Sequence, residues 1–80
     1  MHPEEVKKVL TAAFPSGTVE VQDMTGTMDH FQVLVISPEF AGKSMVEQHQ
    51  LVYRALGDLM KEAIHALALK TYTPEQWKNA

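Results

Sequence analysis

Residues 30–37, HFQVLVIS, set Phe31, Val33 and Val35 against His30, Gln32, Leu34 and Ile36, so apolar side chains fall on both sides of one short run. That alternation predicts a strand buried on both faces. A small sheet holding such a strand has no core of its own and must place its apolar face under helices. Two other stretches supply strands. TVEVQDM, 18–24, alternates Val19 and Val21 with Glu20 and Gln22, while AIHALALKTYT, 63–73, is apolar almost throughout. TGTMD, between the first two, is too long for a two-residue turn and predicts a hairpin loop, with Gly26 supplying an unusual backbone angle and His30 at the loop's closing edge.

The helices are marked by periodicity and caps. From Pro3, the residues Val6, Val9, Leu10, Ala13 and Phe14 share one helical face, with Glu4 and Glu5 at its positive end and FPSG ending it. SPEFAGK interrupts regular structure. Ser44 and Glu47 then have capping-box spacing, and Met45, His49, Val52, Leu56, Leu59, Met60 and Ala63 define an apolar face, with Gly57 bending or dividing the segment into two helices. Thr73, Pro74 and Gln76 open a last short helix carrying Trp77. The predicted order is αββααβα, a two-layer α/β sandwich with a three-stranded sheet. The long connection between the second and third strands suits a parallel crossover. Strand order stays open at this point.

Eighty residues, 45% hydrophobic and 21% charged, predict a single folded domain over 1–80. The sequence has no cysteine, which excludes disulfides, a thiol nucleophile and any metal site built on this chain's own thiolates. A formal charge of −3 and only seven Lys and Arg residues confine nucleic-acid binding to a local patch. No apolar run approaches bilayer length, and the expectation is a soluble, cytoplasmic protein without a membrane partner.

No catalytic constellation emerges. AGKS has Ser37 where a phosphate-binding loop would need its first glycine, and the carboxylates are scattered over different elements, so an enzyme is not expected. Histidines are the remaining candidates for chemistry. His2 lies at a terminus. His49, between Met45 and Val52 on the apolar helix face, is expected as a core side chain hydrogen-bonded to backbone. His65 shares strand parity with Leu67 and Leu69, which by itself implies a half-buried residue at the mouth of the core, and His30 at the end of a loop implies solvent exposure.

DHFQVLVISPEFAGKSMVEQHQLVYRAL followed by IHALALKTYTPEQW resembles the BolA family, with F-x-G-K-S, H-x-L-V-Y, I-H-A-L and K-T-Y-T-P-x-x-W in the family's order across about three quarters of the chain. The resemblance implies a sandwich related to class II K-homology domains. It also implies partnership with a monothiol glutaredoxin, whose cysteine and glutathione hold one side of a [2Fe-2S] cluster while this chain's residues hold the other. The family's histidine at the start of the third strand falls on His65, and its loop ligand, Cys or His, falls on His30. Two imidazoles on one iron and thiolates on the other make a Rieske-like set. The chain alone, as a monomer or weak homodimer, is expected to carry no cluster. Because His65 is strand-held and His30 loop-borne, loss of His65 is expected to do more damage.

The family's other attributed role is transcriptional control through DNA binding, using the segment from Phe40 to Arg54. Lys43, Ser44, Arg54 and Lys70 are the candidate contacts here, while Gln48 and Gln50 occupy positions that are commonly basic in the family, so this function is weakened.

Overall fold

The computed structural model describes residues 2–23, 30–57, 59 and 66–79. Helix α1 (Pro3–Ala13) starts on its proline and buries Val6 and Leu10, with Phe14 buried just beyond its end and Val9 half-buried. Strand β1 (Thr18–Asp23) buries Val19 and exposes Thr18, Glu20 and Gln22. Strand β2 (His30–Ile36) follows, then a 3-10 turn at Pro38–Phe40, helix α2 (Met45–Leu56), strand β3 (Ala66–Tyr72) and helix α3 (Pro74–Lys78). The predicted hairpin loop, Gly26 included, and the second of the two central helices fall outside the described residues, apart from Leu59.

The strand order is β1-β2-β3: β1 runs antiparallel to β2, pairing Thr18 with Ile36 and Asp23 with Phe31, and β2 runs parallel to β3, pairing His30 with Ala66 and Ile36 with Tyr72. The parallel crossover expected from the long connection is present. The middle position of β2 explains why Phe31, Val33 and Val35 are all fully buried, since neighbours close both sides of them and helices close the top. Val6, Leu10, Phe14, Val19, Phe40, Val52 and Leu56 complete that core.

Burial of β2 on both faces does not hold. Leu34 and Ile36 are only half-buried and Gln32 is exposed, because the helical layer covers a single side of the sheet. The apolar face of α2 is also rotated from expectation. Gln48, Val52 and Leu56 point inward at spacings of four, whereas Met45, the helix's first residue, is 68% exposed and lines the β3 flank with His49 and Leu69. The hydrogen bond between Gln48 and Thr71 of β3 fixes which face of α2 turns inward.

Both capping boxes form. The Glu47 amide donates to Ser44 Oγ (3.2 Å) and the Ser44 amide to Glu47 Oε1 (2.9 Å); at α3 the Gln76 amide donates to Thr73 Oγ1 (3.0 Å) and the Thr73 amide to Gln76 Oε1 (2.9 Å). Gly57 caps α2 at a φ of 54°, a conformation L side chains rarely adopt. Gly17 serves a different need: a Cβ there would lie 2.5 Å from the Ile36 carbonyl oxygen, so glycine lets the turn after α1 cross the end of β2.

SPEFAGK is not featureless. The Ser37 amide donates to the Tyr72 carbonyl (3.0 Å), Ser37 Oγ accepts from the Glu39 amide (3.1 Å), and Phe40, fully buried, sets its ring 5.2 Å from that of Phe14. One aromatic thus fastens the loop to the core.

Candidate functional site

His30 is the first residue of β2 and is half-buried. Its Cα partner in the parallel register is Ala66, which is also the residue that follows His65 in the sequence. His65 itself lies outside the described residues. The strand start, not a loop, therefore positions His30, and this corrects the expectation that His30 rides on a mobile segment: the ladder with β3 orders its backbone before any ligand arrives. His30 stands at the end of the sheet where β2 and β3 begin together.

Among the described residues, no three His, Cys, Asp or Glu side chains gather into a group able to hold a metal ion. A pair of imidazoles is a half set, and the absence of cysteine from the whole sequence means that any thiolate ligand must come from another molecule. His30 fits such a half set in residue type and in placement at a strand end. The other histidines do not join it. His2 is exposed ahead of α1, and His49 is half-buried on α2 with its ring edge-on to Tyr53 at 6.4 Å, far along the chain from the β2 start.

The residues considered for nucleic acid divide. Lys43 and Arg54 are exposed and line one groove beside α1 and α2, whereas Lys70 lines a separate groove with Met45, His49 and Leu69. Ser44 is engaged as the N-cap of α2. Hydrogen bonds from the Ser44 amide first, then the Ser44 hydroxyl, with Lys43 nearby, hold the Glu47 carboxyl below the ordinary glutamate range against a smaller opposing effect of desolvation. A carboxylate therefore sits at the helix start where a phosphate would be received.

Gln48 is not a surface position at all. It is 3% exposed; its amide nitrogen donates to the Lys43 carbonyl (3.1 Å) and, at the limit of reach, to the Phe40 carbonyl (3.4 Å), and its Oε1 accepts from Thr71 Oγ1 (2.8 Å). This side chain ties the loop before α2 to the C-terminal end of β3. Viewing it as a lost phosphate contact is therefore mistaken; Gln50, by contrast, is exposed. The spacing of four that links Gln48 to Val52 and Leu56 was the available signal for its burial.

Comparison with known proteins agrees with this architecture. The chain is 33% identical to the DNA-binding transcriptional regulator BolA of Escherichia coli, the alignment covering 94% of this chain and 78% of that one. It is 43% identical to Protein BOLA2 of Arabidopsis thaliana over 94% of this chain and 82% of the relative. The solved structure of a bolA protein homologue from Coxiella burnetii superposes with a TM-score of 0.83 at 33% identity, covering 98% of this chain and 97% of that one. A family model described as BolA-like protein matches residues 8–76. With the helix-on-sheet fold, the parallel β2–β3 pair and the F-x-G-K-S loop all in place, the chain belongs to the BolA-like protein family.

Proposed function

We propose that this chain is a non-enzymatic partner of a monothiol glutaredoxin and co-ligates a [2Fe-2S] cluster with it, through His30 and His65, in the cytoplasm. The observation that carries this reading is the β2–β3 register, in which His30 stands opposite the residue that follows His65. Neutral imidazoles at these two positions donate ring nitrogen lone pairs to one iron, and the glutaredoxin cysteine with glutathione completes the thiolate side. When bound, the cluster supplies a one-electron centre and a transferable iron-sulfur unit, which suits roles in iron homeostasis, cluster trafficking or stress response. The contribution of this chain is positioning: the strand ladder fixes the His30 backbone, and no thiol competes within the chain.

The test is reconstitution with monothiol glutaredoxin, glutathione, iron and sulfide, followed by gel filtration and metal analysis. A coloured heterodimer with stoichiometric iron and sulfide is expected, along with a colourless isolated chain. Iron and sulfide retained by the isolated chain, or a glutaredoxin cluster that ignores its presence, would overturn the proposal.

A DNA-binding regulator is the second reading, favoured by the name of the Escherichia coli relative and by the shared groove of Lys43 and Arg54. Against it stand the Ser44–Glu47 cap and the burial of Gln48. Affinity for duplex DNA is expected to be weak, because few cations are available to displace counterions, and to fall further with salt, because those contacts are electrostatic. Salt-resistant binding to a particular duplex would reverse the order of the two readings.

A further inference from the structure

The groove holding Lys43 and Arg54 has an apolar floor that phosphate binding leaves unused. It measures about 450 Å³ and is floored by Ala13, Phe14, Leu51 and Ala55, with Lys43, Arg54 and Glu39 around it. The floor is stiff: Phe14 is 4% exposed and packed on the Phe40 ring, and Leu51 and Ala55 rest half-buried against the core. Phe14 precedes the turn that crosses the end of β2 at Gly17, so the groove adjoins the Ile36 end of the sheet, opposite the end that carries His30.

Its charge is inverted relative to the whole molecule. The chain carries a formal −3, yet two cations face one carboxylate here, and that carboxylate accepts a hydrogen bond from the Ser37 hydroxyl (3.4 Å). An apolar floor under cations suits a ligand with an apolar side chain and a carboxylate close to it, because the guanidinium takes a carboxylate in a two-pronged bond while the floor removes apolar surface from water. A nucleic-acid backbone offers phosphates without the apolar side chain. A small molecule in an open groove would leave much of its surface wet, whereas small-ligand sites bury about 70–90% of theirs.

We propose that this groove docks a short acidic amphipathic segment of a partner protein, with an apolar side chain on Phe14, Leu51 and Ala55 and a carboxylate on Lys43 and Arg54. The docking is independent of any cluster and leaves the His30 end of the sheet uncovered. It gives the molecule a second, electrostatically selective contact with partner proteins.

The test is an amide chemical-shift titration of the full chain with a short peptide carrying leucine and glutamate at helical i, i+3 and i+4 spacing. Saturable shifts centred on Phe14, Leu51 and Ala55 are expected. Replacing the peptide's glutamates by lysines, or its leucines by serines, should abolish saturation. The double variant Lys43→Glu, Arg54→Glu changes only exposed side chains, keeps the circular dichroism of the wild type, and should weaken the peptide by at least about tenfold, the loss expected for reversing close charge pairs. Equal binding of the lysine or serine peptide, shifts confined to other surfaces, an unchanged affinity in the double variant, or tighter binding of sodium decanoate or duplex DNA at the same amides would each overturn the proposal.

Discussion

Gln48 shows how one residue can hold a functional loop in place. A buried primary amide has two donors and an acceptor to satisfy, and here they meet the Phe40 and Lys43 carbonyls and the Thr71 hydroxyl. Truncation by Gln48→Ala strands the Lys43 carbonyl and the Thr71 hydroxyl at once, so a loss of about 1–3 kcal/mol is expected in urea unfolding. Thr71→Val should cost part of the same energy, and the double variant should cost less than the sum, because both changes break one hydrogen bond. Strict additivity would show that the two side chains act separately. Gln48→Arg should destabilise more than Gln48→Ala, since a guanidinium can accept nothing from Thr71 and brings a charge into the buried site. An exposed position would tolerate it.

At the scale of elements, what the sequence made legible follows from how local each signal is. Both capping boxes depend on residues three apart, and both form as their spacing predicts. Ser44→Ala should cost about 1 kcal/mol, measured by thermal unfolding. The Glu47 carboxyl adds a pH dependence of definite sign. Its folded-state pKa is lowered, so its contribution is complete above the ordinary glutamate value and disappears as pH falls through the lowered one. The Ser44 amide shift should report that titration, and Glu47→Gln should remove it; an unchanged acid profile would contradict the assignment. Non-local features were harder to see. Period-two alternation located β1 and β2, but their order in the sheet depends on which strand the crossover brings beside β2, and nothing local encodes it. Phe40 sits in a stretch full of turn residues, and only its pairing with Phe14 makes it core. His30 opens the predicted strand, while its pairing with Ala66 depends on the parallel β3 register.

As a whole, the described residues form one helical layer on one face of a three-stranded sheet, with His30 at one end and the Lys43–Arg54 groove adjoining the other. A core this small has little redundancy: Phe31→Ala, in the central strand, should cost about 3–5 kcal/mol, which approaches the total stability of a small domain. Retention of a wild-type denaturation midpoint would contradict the central role of β2. The cluster reading is tested on the assembled heterodimer, because a shared ligand set exists only there. The direct measurement is electron paramagnetic resonance of the reduced cluster, resolving nitrogen hyperfine couplings, with this chain's histidines labelled with nitrogen-15 and the glutaredoxin unlabelled. Nitrogen-15 couplings from this chain are expected, and they should be lost or altered in both His30→Ala and His65→Ala with circular dichroism unchanged. A reduced cluster showing no coupling to the labelled chain, or the wild-type couplings in His65→Ala, would contradict it.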